Sequence, residues 1–499
     1  MDFLWPSFYW GVCCPRSKKK AVWSKVELFL PRSRDDLNWQ FFKMMLFSYN
    51  DLPDYLKPCL LYFAIFPEDS KVSTRQLFQL WIAEGFIHEN FEATAEVYLD
   101  ELIDRGFIQV LKRRSDGRVK TCKIHDLVLE FIAGKARRDG FVQNQELHHK
   151  GLKCRRLTIH VDLSEIISLK YFSPNLHSFV CLLSKKQNLT RNRGKNIFES
   201  FEFLRILNLG PVFVEEFPIG IENLFHLRYL TLNAPSINSI PASLCNLRNL
   251  YTLDMPSSNI DHTPDNFWNM QKLRYLNFCL ITLTSPSGIP ESTLGDLQFL
   301  SRLDASSCSV DVLSRMTNLQ TLRIYGDLGS HHEALSVNLS KLSCLKSLRL
   351  VGNEPAKFLG EYKFPSSLTH LTLLSTELKD DPMPTLENLP MLLVLKLKHN
   401  SYSGRKLACT SGKFPCLQVL HLKSMQWLEE WTMEPGAIPE LVSLVINPCA
   451  YLRRLPEELW RVKTFCKLEL WWPRLELKPK LREFEDMDQY DIQIHPSGL

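Results

Sequence analysis

A short leucine pattern that recurs along most of the chain constrains its fold more than any other feature. The template L-x-x-L-x-L begins at twelve clear positions. In chain order these are "LRILNL" at Leu204, "LRYLTL" at Leu227, "LYTLDM" at Leu250, "LRYLNF" at Leu273, "LSRLDA" at Leu300, "LQTLRI" at Leu319, "LKSLRL" at Leu345, "LTHLTL" at Leu368, "LLVLKL" at Leu392, "LQVLHL" at Leu417, "LVSLVI" at Leu441 and "FCKLEL" at Phe465. Two weaker copies precede them, "CRRLTI" at Cys154 and "LHSFVC" at Leu176. Consecutive clear starts lie 19 to 27 residues apart, most often 23 or 24.

This spacing is typical of leucine-rich repeats, whose period is about 20–29 residues. Within each template the leucines alternate inward on a short strand, and the residues between them point outward. One repeat cannot bury its own leucines, but stacked neighbours bury a continuous core and line the concave side of a solenoid with strands. "IPASLCNLRNL" and "LPEELWRVKTF" indicate a proline-started, loosely helical return. One separation is a residue too short, so the unit at Leu300 is expected to be irregular.

The region before the repeats follows a helical pattern instead. "LPDYLKPCLLYFAIFPED" has apolar side chains at near-helical spacing as far as Pro67, where the helix should stop. "STRQLFQLWIAEGFI" opens with Ser73 and Gln76, which predicts a capping box at the start of a second helix. A third helix is expected over about 93–105, ending at Gly106. The predicted core side chains of these helices are Phe63, Leu80 and Trp81.

A hairpin and a closing helix complete this region. "FIQVLKRRSDGRVKTCKI" alternates, turns at Asp116-Gly117 and alternates again, which predicts a β-hairpin. "KIHDLVLEFIAGKA" then begins a helix at the adjacent His125 and Asp126. Helices followed by a hairpin wing and a closing helix are typical of a winged-helix domain, a shape that does not by itself assign DNA binding. The basic residues of the predicted wing are Lys112, Arg113, Arg114, Arg118 and Lys120.

Together these patterns predict an α/β solenoid, a leucine-rich-repeat horseshoe preceded by a small α+β winged-helix domain. We expect a leader of unclear structure over 1–40, the winged helix over 41–150 and the repeats over 151–499.

Bulk composition excludes several classes of protein. A formal charge of +5 over 499 residues is mild and does not indicate a nucleic-acid partner. The fourteen cysteines form no C-x-x-C pair, and positions such as Cys245 and Cys344 suit buried, reduced thiols in a cytoplasmic protein. The apolar residues 3–12 are fewer than the ~20 that a membrane helix needs. Acylation of Cys13 and Cys14, which lie beside a basic cluster, stays open as a route to membrane association.

The order of the motifs resembles that of the plant nucleotide-binding leucine-rich-repeat disease resistance proteins, and in particular the class with an N-terminal coiled coil. The resemblance rests on "SYNDLPDYLKPCLLYFAIFPED", "LWIAEGFI" and "KIHDLVLEFI", then the repeats and the tail "CKLELWWPRLELKPKLREFEDMDQYDIQI". It implies that residues 41–150 are the C-terminal part of the nucleotide-binding module of that family. In the family a coiled coil and a nucleotide-binding domain come earlier in the chain, so this chain is expected to be a receptor without its front half.

The resemblance also gives the His-Asp pair a role. In the family the histidine contacts the diphosphate of ADP and the neighbouring acid supports it, which implies that His125 and Asp126 form an ADP-sensing motif. Ile124 stands where methionine or valine is more usual. The alternative is a helix start without function, in which the aspartate accepts backbone N–H bonds and stabilises the helix by about 1 kcal/mol.

A nucleotide site needs more than this pair. The phosphate loop G-x-x-x-x-G-K-[ST] is not found in the sequence. We therefore expect no cofactor in this chain, although the full-length family binds ADP or ATP, and we expect the His-Asp pair to be vestigial. The sequence also has no G-x-S-x-G elbow and no HExxH motif, so no enzyme activity and no metal are expected.

Arginine and tyrosine, which are enriched in binding hot spots, occupy outward positions of the early strands. They are Arg205, Arg228, Tyr229, Tyr251, Arg274, Tyr275, Arg302, Arg323 and Arg349. We expect this concave strip to bind an acidic protein surface, on either a pathogen-linked protein or another receptor domain. A solvated face without a partner is the alternative.

Three functions compete at this point. The first is a fragment of a plant innate immune receptor that acts in the defence response through protein recognition by its repeats. The second is a leucine-rich-repeat substrate adaptor of a ubiquitin ligase, which would need an F-box in the N-terminal region. The third is an ATP-driven switch enzyme, which would need the phosphate loop.

Overall fold

The computed structural model describes residues 37–495 except 90, 145–154, 161–174, 184–186, 190–200, 285–293, 309, 314, 354–361 and 473–489. Contacts divide the chain into two compact units, the first comprising residues up to 236 with 249–253 and the second comprising 237–248 with 254 onward. Most of the predicted leader, including Cys13 and Cys14, lies outside the described residues. The first described helix begins at Leu37, within the range predicted as leader.

The first unit opens with the predicted winged helix. Its α-helices are α1 (Leu37–Asn50), α2 (Leu56–Leu61), α3 (Thr74–Glu84), α4 (Phe91–Asp104) and α5 (Asp126–Arg138), and a 3-10 turn (Tyr62–Ile65) continues α2. Its strands are β1 (Val72–Ser73), β2 (Ile108–Arg113) and β3 (Val119–Ile124). They pair antiparallel in the order β1-β3-β2, so the hairpin wing is confirmed.

Glycines fix two of the predicted boundaries. Gly106 follows α4 with φ of 79°, and Gly117 lies in the wing turn with φ of 81°. Both values fall in the left-handed region that glycine adopts without a steric penalty. The Gly106 N–H donates to the Ile103 carbonyl at 2.8 Å, which ends the helix.

The start of α3 differs from the prediction in its chemistry. Ser73 is the N-cap, but its side chain makes no capping hydrogen bond, so the predicted capping box is wrong. The next residue, Thr74, makes a long-range hydrogen bond instead: its buried Oγ1 donates to the Val119 carbonyl at 2.8 Å. That bond ties the first turn of α3 to the wing. A local pattern cannot reveal such a competing long-range partner.

Large side chains fill the core of the winged helix. Phe63, Leu80 and Trp81 are all fully buried, as predicted. The Phe63 and Trp81 rings meet edge to face, with centroids 6.3 Å apart and planes at 75°. This is a favoured geometry for aromatic pairs.

Strands of the earliest repeats also belong to the first unit. They are β4 (Gln143–Asn144), β5 (Arg156–Ile159), β6 (Ser178–Cys181), β7 (Gln187–Leu189), β8 (Ile206–Val214) and β9 (Tyr229–Asn233). The pairings are all parallel: β4 pairs with β5, β5 with β6, both β6 and β7 with β8, and β8 with β9. Val180, Ile206 and Tyr229 join the same buried cluster as the winged-helix core. The division of the packing therefore does not coincide with the division predicted at residue 150.

Parallel strands at repeat spacing make up most of the second unit. They are β11 (Tyr275–Ile281), β12 (Phe299–Asp304), β13 (Thr321–Gly326), β14 (Ser347–Gly352), β15 (His370–Leu374), β16 (Val394–Lys398), β18 (Val419–Lys423), β20 (Ser443–Asn447), β21 (Lys467–Trp471) and β22 (Asp491–His495). Strand β10 (Thr252–Ile260) has residues in both units. Each numbered strand from β11 onward pairs in parallel with the next one named here. The predicted leucine-rich-repeat solenoid is confirmed.

Alternation of burial explains why these strands form. In β16 the side chains of Leu395 and Leu397 are fully buried, whereas Lys396 and Lys398 are only half-buried. Each leucine is stacked on leucines of the neighbouring strands, because Leu395 lies opposite both Leu371 and Leu420. The inward leucines therefore form continuous buried columns, and the residues between them form the outward strand face.

The repeat predicted to begin at Leu300 is irregular, as expected, but its predicted phase is wrong. Leu300 lies opposite Leu276 and Leu322, each the fourth residue of its template. The unit therefore begins three residues earlier, at the fully buried Leu297, whose N–H donates to the Leu294 carbonyl at 3.1 Å.

A bulge explains the misleading sequence. The register shifts between Leu300 and Leu303, and Arg302 has φ of 57°. One extra residue in the strand brings Leu303 inward opposite Ile324. Counted from Leu297, the separations on either side are an ordinary 24 and 22 residues.

The connections that return from one strand to the next take several forms. Two 3-10 turns, Ala242–Asn246 and Glu457–Arg461, follow prolines and confirm the predicted proline-started return. Three α-helices, α6 (Val310–Leu313), α7 (His332–Lys341) and α8 (Met383–Leu386), occupy other returns. Strands β17 (Lys406–Cys409) and β19 (Glu430–Met433) form a separate two-stranded parallel sheet that the sequence did not predict.

Every cysteine among the described residues is free. Cys245 is buried as predicted, and burial raises the pKa of its thiol to about 12. Cys344 is exposed, so its predicted burial is wrong. It occupies a turn just before β14, where the helical return has already ended.

Candidate functional site

The histidine of the predicted sensor motif is the N-cap of α5. Its backbone is extended, with φ of −74° and ψ of 143°, and its Nδ1 accepts a hydrogen bond from the Leu127 N–H at 3.3 Å. A neutral imidazole whose Nδ1 is the acceptor carries its proton on Nε2. The half-buried His125 ring therefore has Nε2–H as its remaining donor.

The aspartate does not perform the capping role expected of it. Asp126 is exposed and is the first residue of α5, and the side chain that caps the helix belongs to His125. A carboxylate in the first turn still interacts favourably with the helix dipole, by about 0.3–1 kcal/mol. The expectation that Asp126 accepts the capping bond is wrong, because the Leu127 N–H donates to His125 Nδ1 instead.

Four residues of the predicted partner strip lie in the first unit, and contacts within the chain occupy them. Arg205 Nη1 donates to the Glu84 carbonyl at 3.0 Å, and Arg228 Nη1 donates to the Ala83 carbonyl at 3.4 Å. Both acceptors are at the carboxyl end of α3, where free carbonyls favour a cation. Burial, followed by the charge of Arg228, lowers the pKa of Arg205. These arginines bind the winged helix.

The two tyrosines of this group are similarly engaged. Tyr229 is 1% exposed, so its assignment to a partner surface is wrong, since its side chain packs in the shared core. Tyr251 is half-buried, its ring centroid lies 6.0 Å from that of Phe91, and the Arg228 guanidinium lies 5.9 Å from it. A position that looks outward in the template is thus covered by the winged helix.

The remaining members of the predicted strip lie in the second unit. Tyr275 stacks on Phe299 with centroids 4.2 Å apart and planes at 7°, and the Arg323 guanidinium lies 5.4 Å from the Phe299 ring. Arg274 is half-buried nearby in sequence. We term Tyr275, Phe299 and Arg323 the aromatic platform. Tyr275 and Arg323 are half-buried on the strand face, and Phe299, against which both pack, is 6% exposed.

Two further arginines differ in their setting. Arg302 is exposed at the bulge, and its Nη1 donates to the Cys279 carbonyl at 3.2 Å, so it is outside the regular alternation. Arg349 lies directly opposite Arg323 on the next strand. Burial, followed by the charge of Arg302, lowers the pKa of Arg349.

Four cationic or imidazole side chains on later strands were missed by the sequence reasoning. They are Lys396, Lys398, His421 and Lys423. The signal was present in "LLVLKLK" and "LQVLHLK", where a basic residue takes the fifth and seventh positions of two consecutive templates. The predicted strip included only arginine and tyrosine residues, so it left out these lysines and this histidine.

The structure adds two observations about chemistry. Within the described ranges, no group of three or more His, Cys, Asp or Glu side chains is arranged to hold a metal ion. In the same part of the chain, no helix has both the length and the apolar character to cross a membrane.

Two family models agree with this architecture. The model of the disease resistance protein winged helix domain matches residues 65–132. The model of a leucine-rich repeat region matches residues 176–367. A solved structure, a leucine-rich-repeat protein of Leptospira interrogans, is 20% identical and covers 72% of this chain and 98% of its own, with a TM-score of 0.42.

Curated relatives carry the same two elements. Disease resistance RPP8-like protein 3 of Arabidopsis thaliana is 28% identical over 495 residues, which cover 91% of this chain and 54% of the relative. Disease resistance protein RPP8 of the same plant is also 28% identical over 495 residues, with the same coverage. The chain thus spans about half the length of the curated relatives it matches. The agreement of both family models, these relatives and the order of the elements establishes that the chain belongs to the plant disease resistance proteins that join a winged helix to leucine-rich repeats.

Proposed function

We propose that this chain acts in the plant defence response as part of an innate immune receptor, and that its repeats recognise another protein. The observation that carries the proposal is the aromatic platform on the strand face of the second unit. Stacked aromatic rings beside an arginine are the side chains that dominate protein-binding hot spots. The partner is a pathogen-linked protein or another receptor domain.

The winged helix supports this function over a ligase adaptor. An adaptor needs an F-box in the N-terminal region, whereas residues 65–132 match a disease resistance winged helix. The wing also offers little to nucleic acid. Arg118 pairs with Asp116 at 2.6 Å, and Arg113 Nη1 donates to the Gly117 carbonyl at 2.9 Å. We propose a cytoplasmic location, which the buried, reduced thiols support.

We further propose that the chain alone does not hold a nucleotide. His125 offers one donor, and one charge-assisted hydrogen bond contributes about 1.5–3 kcal/mol. Micromolar affinity needs about 8 kcal/mol, which family members obtain largely from a phosphate loop. The expected dissociation constant of the purified chain for ADP or ATP is therefore about millimolar or weaker, without hydrolysis, as measured by calorimetric titration. A micromolar constant that His125→Ala weakens would reveal a phosphate site and contradict the proposal.

The receptor function can be tested by measuring pathogen resistance in plants with and without the chain. A line without the chain should be more susceptible to at least one pathogen strain, and the wild-type chain should restore resistance. The variant Tyr275→Ala/Arg323→Ala removes two of the three side chains of the aromatic platform and leaves the inward leucines intact, so it should accumulate normally and fail to restore resistance. Tyr451→Ala, an exposed tyrosine outside the strands, is the matched control and should restore it. Full restoration by the platform variant would show that recognition does not use this face.

A further inference from the structure

The side chains missed by the sequence reasoning come together on one face of the second unit. Strands β14, β15, β16 and β18 are consecutive neighbours without a register shift. Arg349 lies opposite Thr372, which lies opposite Lys396, which in turn lies opposite His421. We term Arg349, Lys396, Lys398, His421 and Lys423 the basic cluster. All five are half-buried and alternate with fully or nearly fully buried leucines, so they share the outward face.

Like charges lie side by side in this cluster. Lys398 lies directly opposite Lys423, an arrangement that destabilises a sheet. Burial, followed by the charges of Lys396, Lys423 and Arg349, lowers the pKa of Lys398. Burial, with added repulsion from Lys396, Lys398 and Lys423, lowers the pKa of His421 to about 3, so this imidazole is neutral at physiological pH. A local conflict of this kind is expected at functional sites rather than in a passive solenoid face.

Three cations of the basic cluster have no ion-pair partner in the described part of the chain. Among the described residues, no carboxylate lies within 4.0 Å of the side-chain nitrogens of Arg349, Lys398 or Lys423. The buried Nε of Arg349 also has no hydrogen-bond partner there. Along the same row, Val445 and then Glu469 follow His421, and Glu469 accepts the Trp471 indole N–H at 2.6 Å. The basic cluster therefore adjoins Arg323 on one side and the uncharged Val445 on the other.

The dimensions of the cluster indicate what would fit. Four adjacent strands about 4.8 Å apart place its ends about 14 Å apart. An extended peptide advances about 3.3 Å per residue, so about four or five residues cover that distance. The short row suits a peptide better than a nucleic acid, whose affinity comes from many phosphate contacts along a longer basic track.

We propose that the basic cluster binds an extended acidic segment of a protein partner, with about two or three Asp or Glu carboxylates within four or five consecutive residues. This inference rests on the proposed function of the repeats in protein recognition. The acidic segment would bind to strands β14, β15, β16 and β18. These strands adjoin the aromatic platform, because Arg349 lies opposite Arg323. The carboxylates would relieve the repulsion between Lys398 and Lys423.

The test uses the full chain and a fluorescein-labelled peptide that contains Asp-Glu-Asp-Glu-Asp, with the Asn-Gln-Asn-Gln-Asn peptide as the neutral match. At low ionic strength the acidic peptide should bind at least about tenfold more tightly than the neutral one. The variant Lys398→Gln/Lys423→Gln should lose at least about tenfold in affinity for it. Because this variant removes repulsion, its melting temperature should stay the same or rise.

A matched control separates a site from overall charge. Lys341→Gln/Lys379→Gln changes two exposed lysines outside the strands and gives the same net charge, and it should bind the acidic peptide within about twofold of wild type. Equal losses in both variants would overturn the proposal. Stronger competition by inorganic phosphate or by a ten-nucleotide single-stranded DNA than by unlabelled acidic peptide would also overturn it, in favour of another anion.

The plant experiment distinguishes this proposal from the receptor function on which it rests. If Lys398→Gln/Lys423→Gln restores resistance but the aromatic platform variant does not, the basic cluster is not the partner site and the receptor function stands. If loss of the chain leaves resistance unchanged, the receptor function fails, whatever the peptide binds.

Discussion

Replacing Trp81 with alanine is expected to lower the free energy of unfolding of the first unit by about 3–5 kcal/mol. The indole is 0% exposed, and its ring lies 6.3 Å from that of Phe63 and 6.1 Å from that of Phe78. Truncation leaves a large cavity at the centre of the winged helix, and rigid helices on either side limit collapse into it. Hydrogen exchange of peptides from residues 56–138 measures this unit separately from the later repeats.

Two further variants serve as controls for the stability change of Trp81→Ala. Trp427 is 53% exposed, so Trp427→Ala should change stability by no more than about 0.5 kcal/mol. Trp81→Phe keeps most of the ring and removes an indole N–H that has no hydrogen-bond partner among the described residues, so it should cost much less than Trp81→Ala. A loss below about 1 kcal/mol for Trp81→Ala would show that Trp81 is not a central core residue.

The sequence predicted the repeats well because their signal is local and periodic. Leu395 and Leu397 are inward for the same reason as their counterparts in every other unit, since alternation on a strand sends every second side chain to one face. The pattern fails where one residue is added. Near Leu300 a bulge adds one residue to the strand, so the leucines still match a template but in the wrong phase. Only the pairing of Leu300 with Leu276 and Leu322 shows where this repeat begins.

The candidate sites were harder to predict because they depend on contacts between distant segments. A template position states which way a side chain points but not what covers it. Arg228 and Tyr229 are both predicted to point outward, yet Arg228 donates to a carbonyl of α3 and the shared core encloses Tyr229. The basic cluster was missed because its residues are distant in sequence and meet only in the folded chain. Lys398 and Lys423 are 25 residues apart in sequence and become neighbours only through strand register.

A buried ion pair joins the winged helix to the first repeats and was not predicted. Arg156 Nη2 of β5 lies 2.9 Å from Glu84 Oε2 of α3, with the two side chains 10% and 0% exposed. The N–H does not point at this oxygen, so the contact is an ion pair rather than a hydrogen bond. Ser178 Oγ donates to the other carboxylate oxygen, and Phe141 covers the guanidinium at 4.0 Å.

Removing the arginine alone, by Arg156→Ala, is expected to destabilise the first unit by about 3–5 kcal/mol, because it leaves the Glu84 carboxylate buried without a counter-charge. Removing both charges, by Glu84→Gln/Arg156→Met, should cost less than Arg156→Ala, since no isolated charge remains in the core. Exchange protection of α3 provides the measurement, and Arg155→Ala, an exposed neighbour, is the control with little expected effect. The single variants Glu84→Gln and Arg156→Met complete a double-mutant cycle with Glu84→Gln/Arg156→Met, and strictly additive losses in it would mean that the two charges are not coupled. A coupled result would mean that α3, whose carboxyl end binds Arg205 and Arg228, is held to the first repeats by charge as well as by packing.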